Sequence, residues 1–200
     1  MLLYGAGGHA RVLISILKAL NELPVAIFDD DPNKESIHGI PIVGPYVPDF
    51  QPELSVLLAV GDNATRCQIA AFIRHSFGTS IHPSAVVDPS ATLGRGTVVV
   101  HRAVVQANAQ LGQHVIVNTG ASVDHDCVLG DFVQVAPGAV LCGNVRVGEG
   151  TLIAAGAVVV PGIDIGRWAV VGAGAVVTRN VPDGAVVWNS PARLIRFRKS

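Results

Sequence analysis

Residues 81–177 follow a period of six that leaves few folds open to them. Stepping by six from Ile81 gives Val87, Leu93, Val99, Val105, Leu111, Val117, Val123, Leu129, Val135, Leu141, Val147, Ile153, Val159, Ile165, Val171 and Val177, all aliphatic. In a chain about half apolar, such an unbroken run arises by chance with a probability on the order of one in 10⁵ or less. Four residues after each, from Leu93 onward, stands a mostly small side chain: Thr97, Ala103, Ala109, Val115, Ala121, Cys127 and so on to Ala175. Glycine recurs on the same ruler at Gly94, Gly112, Gly130, Gly148, Gly166 and Gly172. Neither a helix nor an amphipathic strand repeats every six residues. Each hexad therefore reads as one short flat side with an aliphatic turned inward and a narrow corner that admits a small residue. No hexad is interrupted, so no long loop leaves the region.

This ruler resembles the hexapeptide repeat of left-handed parallel β-helices, in which three hexads make one triangular coil. The resemblance implies about five stacked coils with strands ~4.8 Å apart, and it also supplies the handedness, since crossover sterics favour the right-handed form. The repeat accounts for a composition of 50% hydrophobic residues, 22 glycines, 14% charged and 5% aromatic. A membrane span needs about 18 consecutive apolar residues, and the greasiest stretch, Leu152 to Val160, is cut by Gly156, Pro161 and Gly162. Disorder is excluded by the wealth of aliphatics. A net charge of −1 gives no field toward nucleic acid or a membrane surface, so neither is expected as a partner. Cys67, Cys127 and Cys142 form no CxxC pair, which argues against a disulfide framework or structural zinc. No secretory pattern opens the chain, and a cytoplasmic location is expected.

Residues 1–77 have a different grammar. Leu2-Leu3-Tyr4 reads as a strand, Gly5 to Gly8 as a tight turn, His9 to Leu20 as a helix, Val25 to Phe28 and Ser55 to Val60 as strands, and Asn63 to Ser76 as a second helix. The fold expected is thus an α/β Rossmann-like domain over 1–77, an all-β left-handed parallel β-helix over 78–184, and a C-terminal cap over 185–200 made basic by Arg193, Arg196, Arg198 and Lys199. Gly5-Ala6-Gly7-Gly8-His9-Ala10 fits G-x-G-x-x-A between strand and helix, where bare N–H groups hold a phosphate. Asp29, 22 residues after Gly7, lies near the offset of a ribose-binding acid. The pattern admits NAD, but about 75 residues make only one mononucleotide half, and a nucleotide diphosphate fits better. Glycines that serve only helix–sheet packing are the plainer alternative.

Of seven histidines, His38 and His75 read as surface residues and His82 as part of the transition into the first coil. His125 stands apart, at an outward position in Val123-Asp124-His125-Asp126. With 18 residues per coil it faces Gly143 one layer away, and Asp126 stacks between Asn108 and Asn144. A base, a cavity above a glycine and an exposed N–H are what acyl transfer requires, and Asp126 is the carboxylate placed to fix the imidazole tautomer. A histidine merely exposed between two acids is the alternative. His101, His114 and His125 could suggest metal, but their hexad positions do not form one column, and no metal is expected.

Together with Gly61-Asp62-Asn63, Asn118-Thr119 and the acidic run after the second strand, these motifs resemble the sialic-acid O-acetyltransferase (NeuD) family, which includes bacterial nucleotide-aminosugar N-acetyltransferases. The resemblance covers essentially the whole chain. It implies a homotrimer with each active site between two β-helices, acetyl-CoA as co-substrate along the prism, and a nucleotide-linked amino sugar held by the N-terminal domain. Carried over, His125 is the general base and Asp126 its orienting group. Gly143, Gln134, Asn118, Ala155 and Ala173 would contact the acyl group and CoA, and Gly7, Gly8, His9, Asp29, Asp30 and Asn63 the nucleotide sugar. Gln134 stands where the family often has a second histidine, which weakens or alters an acyl-binding role there. Asn189-Ser190-Pro191-Ala192 replaces a Gly-x-Pro-Ala, and asparagine tolerates the positive φ that such a turn needs. The expected activity is N-acetyl transfer; O-acetylation of a sugar and a non-catalytic nucleotide-binding trimeric scaffold are the alternatives.

Overall fold

The computed structural model describes residues 1–198, so Lys199 of the expected basic cap lies outside the described residues. The N-terminal part runs β1 (Leu2–Tyr4), α1 (Gly8–Ala19), β2 (Ala26–Phe28), β3 (Ser36–Ile37), β4 (Ile40–Pro41), β5 (Val56–Leu58) and α2 (Asn63–Ala70). Its three buried strands form a parallel sheet in the order β2-β1-β5, the Rossmann-type arrangement expected from the strand and helix pattern. Two details differ from the sequence reading. A small antiparallel hairpin, β3 with β4, occupies the proline-rich link. The second helix stops at Ala70 rather than continuing to Ser76, and the chain after it turns back beside β5, where Phe77 bridges Val56. That return also buries His75, which was expected at the surface: Tyr46 Oη and His75 Nδ1 lie 2.8 Å apart, and His75 Nε2 lies 3.0 Å from the carbonyl of Phe50.

From Ser80 onward the chain winds into a prism of two-residue parallel strands. A first face carries strands from Ser80–Ile81 to Val170–Val171, a second from Val86–Val87 to Val176–Val177, and a third from Thr92–Leu93 to Asp164–Ile165. Six, six and five such strands make five complete coils and most of a sixth, slightly more than the five expected. Each strand pairs with the one 18 residues on, as Val104 with Ser122 and Val105 with Val123. The hexad aliphatics Val99, Val117, Val123 and Leu141 are fully buried, and so are the corner residues Ala103, Ala121 and Cys127. Where the corner residue is threonine, its hydroxyl is satisfied inside: Thr97 Oγ1 donates to the Gly112 carbonyl at 2.9 Å and accepts from Val115 N–H at 3.1 Å. Ala185–Trp188 extends the first face and Arg193–Phe197 folds back antiparallel against it.

The N-terminal part sits on the first face. Leu13, Ile14 and Leu17 of α1 share one apolar cluster with Val98 and Val100 of the prism. On the other side of the sheet Arg66 of α2, 1% exposed, reaches across the junction. Its guanidinium donates to the carbonyls of Val60, Gly61, His114 and Phe132 and to Asn63 Oδ1. Among the described residues it has no ion-pair partner, and burial lowers its pKa to about 10.

Candidate active site

The corner between the second and third faces brings His125, Asp126 and Gly143 together. Asp126 adopts φ 58°, a left-handed conformation that asparagine and aspartate tolerate. This turns its carboxylate back onto its neighbour, so that His125 Nδ1 and Asp126 Oδ2 lie 2.8 Å apart. The next acid, Asp124, accepts the His125 backbone N–H at 2.8 Å and anchors the corner. The hydrogen bond with Asp126 holds the imidazole pKa above its ordinary range, with Asp124 adding to the effect, and the reciprocal bond depresses Asp126. An ionised carboxylate can only accept, so Nδ1 carries the proton and Nε2 keeps a free lone pair. The imidazole is about half exposed, with its side chain 53% accessible.

Gly143 lies directly against the Nε2 edge. A methyl group on its Cα would come within 2.5 Å of both Cε1 and Nε2. The space beside the glycine, expected to be open to an acyl group, is thus filled by the imidazole itself. The Gly143 N–H has no hydrogen-bond partner among the described residues, as an oxyanion donor requires.

The other expected acyl and CoA residues stand elsewhere on this chain. Ala155 and Ala173 are exposed and stacked along the corner between the first and second faces, where the Gly174 N–H bonds the Ala155 carbonyl. Asn118 opens the same corner two coils before Ala155 and accepts from the Thr119 N–H at 2.8 Å. Gln134 is half-buried in the first face, paired with Ile116 and Leu152. None of these lies on the His125 corner. His101 lies on the same corner as Ala155 and Ala173 and stacks on His82 with ring centroids 3.7 Å apart, while His114, on the corner between the third and first faces, is buried between Phe77 and Phe132.

The glycine-rich turn forms a second feature. Gly5, at φ +100°, lets β1 turn sharply against Val60. Gly7 and Gly8 are exposed, a methyl group on either would meet nothing within 4 Å, and no side chain caps the N-terminus of α1. Open N–H donors at a helix start suit a phosphate. Asp30 is exposed beside this turn and accepts from Tyr4 Oη at 3.2 Å. Two residues expected at the nucleotide are engaged otherwise. Asp29 accepts from the Ala6 N–H, the Asp31 N–H and Lys34 Nζ, so its carboxylate pins the turn from inside; against the upward pull of burial these bonds keep its pKa low. Asn63, 7% exposed, donates to the carbonyls of Gly150 and Thr151 and accepts from Arg66, which makes it a fastener between the two parts. His9 is largely enclosed, and burial together with Arg66 pushes its pKa down to about 4. Arg66 was not foreseen as important. A lone arginine in a helical pattern carries no signal of partners 48 and 66 residues away.

Comparison with known proteins gives a consistent set. Residues 1–73 match the PglD N-terminal domain, and residues 144–179 match the bacterial transferase hexapeptide family of six repeats. A histidine-to-asparagine variant of perosamine N-acetyltransferase from Caulobacter crescentus, solved with CoA and GDP-perosamine, is similar at 40% identity over 96% of this chain and 95% of that one, with a TM-score of 0.93. The acetyltransferase domain of PglB from Neisseria gonorrhoeae, solved with acetyl coenzyme A, is similar at 40% identity over 97% and 98% of the two chains, with a TM-score of 0.92. UDP-N-acetylbacillosamine N-acetyltransferase of Bacillus subtilis is 39% identical over 105 residues, 48% of this chain and 49% of that protein. The match therefore spans about half the length of that curated relative.

Proposed function

Because the chain belongs to the hexapeptide-repeat N-acetyltransferases of nucleotide-linked amino sugars, we propose that it moves an acetyl group from acetyl-CoA to the amine of such a sugar, with His125 as general base. The observation that carries this reading is the pair His125 Nδ1 and Asp126 Oδ2 at 2.8 Å, which leaves Nε2 as an exposed acceptor beside the unbonded Gly143 N–H. The sugar amine attacks the thioester carbonyl and forms the C–N bond. The Gly143 N–H donates to the oxygen that becomes negative, Nε2 takes the proton lost by nitrogen, and the C–S bond breaks. The proton then passes from the imidazolium to the departing CoA thiolate. Asp126 stabilises the imidazolium throughout.

The nucleotide diphosphate is assigned to the Gly7 and Gly8 N–H groups at the start of α1, with Asp30 at the rim and His9 beneath. Gln134, Asn118, Ala155 and Ala173 are assigned to the acyl and CoA side of a site shared between chains, since none of them lies on the His125 corner. A homotrimer is supported by the outer surface of the second face, where Val86, Val104, Val140, Val158 and Val176 point away from the prism core with only Ser122 among them. The third face presents Thr92, Gln110, Val128, Arg146 and Asp164 instead. A single-chain mass by sedimentation equilibrium at assay concentration would sink the shared site.

The test is release of CoA thiol with UDP- or GDP-linked 4-amino-4,6-dideoxy sugars, compared with their hydroxyl counterparts. His125→Ala is expected to cut turnover roughly 10²–10⁴-fold with the oligomer unchanged. Wild-type turnover in that variant would overturn the mechanism, and absence of CoA binding to the wild type would favour a scaffold.

A further inference from the structure

At the corner between the second and third faces, residues 18 apart share one backbone conformation. Asn108, Asp126 and Asn144 have φ of 59°, 58° and 60°, and Gly162, next in the column, has 73°. Their Cα–Cβ bonds leave the corner in a common direction, one strand spacing of ~4.8 Å apart. Asn108 and Asp126 touch: Asn108 Nδ2 donates to Asp126 Oδ1 at 3.2 Å, while Asp126 Oδ2 faces His125 Nδ1 at 2.8 Å. The sense of the amide follows from its partner, because an ionised carboxylate accepts and an amide oxygen would repel it. Asn108 is itself held from the coil above. Its N–H donates to Ser90 Oγ at 2.9 Å, and Ser90 Oγ donates to Asp88 Oδ1 at 2.6 Å.

We propose that Asn108 is a positioning residue for acetyl transfer: by holding one oxygen of Asp126 it keeps the other on His125 Nδ1, and so keeps Nε2 aimed at the acceptor amine. The proposal rests on His125 being the base. Its physical ground is that the Asp126 side chain is 44% exposed. With the Asn108 bond lost, water competes for both oxygens and the carboxylate is free to turn away from the ring. Among the described residues no other group hydrogen-bonds the imidazole ring. Ala107 and Gly143 lie above and below it in the column, and Asp124 bonds the His125 backbone N–H rather than the ring. Among the described residues the charged groups that bear on His125 are therefore Asp126 and Asp124, and Asp88 lies two coils away in the column of Asp124.

The decisive variant is Asn108→Gly, because Gly162 occupies the same corner position at φ 73° and the fold accepts glycine there. Loss of one hydrogen bond to a charged group is expected to lower kcat roughly ten- to hundredfold, with KM for acetyl-CoA unchanged. The His125 imidazole, titrated by NMR, is expected to fall back toward the ordinary histidine value. Asn108→Asp separates donor geometry from charge: it adds negative charge near the ring yet offers no N–H to Asp126, so its kcat is expected to fall as well. Unchanged kcat and an unchanged His125 titration in Asn108→Gly would overturn the proposal, as would full turnover in Asn108→Asp. The titration needs no acyl transfer. A wild type inactive on every amino sugar would refute the assigned reaction while the titration still decided the role of Asn108.

Discussion

Gly143 sits so close under His125 that its lack of a side chain sets where the imidazole lies. Its φ is outside the left-handed region, so alanine is allowed by the backbone, and the only obstacle is the methyl group 2.5 Å from Cε1 and Nε2. Gly143→Ala is expected to swing the ring off its seat and lower kcat/KM by on the order of 10²-fold, the usual penalty for an ångström of misplacement. Thermal unfolding should stay within a few degrees of wild type. Full activity in that variant would show that the ring is not seated there. The Asp126 contact makes a separate prediction in pH. Only neutral His125 can accept a proton, so kcat/KM falls as pH drops through its pKa, which the Asp126 bond raises above the ordinary 6.5. In Asp126→Asn that cause is gone. The acid limb is then expected at lower pH, on a plateau reduced because asparagine does not hold the right tautomer. A limb that stays in place would remove Asp126 from the mechanism. The pairing of His125 with Gly143 was legible because a constant 18-residue coil converts sequence distance into contact. That the ring itself fills the space over Gly143 was not, since a repeat fixes backbones and leaves rotamers open.

Among the elements, α2 carries the junction between the two parts. Its apolar pattern continues past Ala70, and the sequence therefore reads as a longer helix. The segment is instead drawn back to β5, where Phe77 bridges Val56 and His75 finds Tyr46. This is tertiary competition that local propensity does not record. The β-helix was readable almost completely, because every coil repeats the same local choice. Arg66 was not, because its acceptors come from the loop after β5, from α2 and from two successive coils at one prism corner. With five acceptors and no anion, its removal leaves buried carbonyls unpaired. Arg66→Met is expected to destabilise the docking of the N-terminal part by about 3 kcal/mol or more. Arg66→Lys should recover only part of this, since an ammonium lacks the planar fork. Hydrogen exchange is the measurement: amides of β1, β5 and α2 should lose protection while the prism amides keep theirs. Equal loss throughout would mean that the two parts unfold as one unit.

For the whole molecule, the same junction makes stability depend on pH near neutrality. His9 and His114 lie by Arg66, and in each case burial first, with Arg66 adding to it, pushes the pKa down to about 4. Both also have a buried ring nitrogen without a partner among the described residues, Nε2 of His9 and Nδ1 of His114. In the unfolded chain both revert to about 6.5. Between those values the unfolded state binds more protons than the folded one, so stability is complete above about 6.5 and is lost as pH falls toward 4. Asp29, Asp62 and Asp126, all lowered in the fold, destabilise it in the same direction but only as carboxylates begin to protonate at lower pH. The midpoint of thermal unfolding should therefore already decline between pH 7 and 5.5, before the acids contribute. His114→Asn keeps a residue suited to its φ of 54° and removes one titrating group. Its midpoint should start lower, because the stack on Phe132 is lost, and should decline less steeply over that interval. The raised His125 gains stability as it protonates and opposes this decline, but it does so equally in both proteins, so a slope equal to the wild type would show that His114 is not part of the acid response.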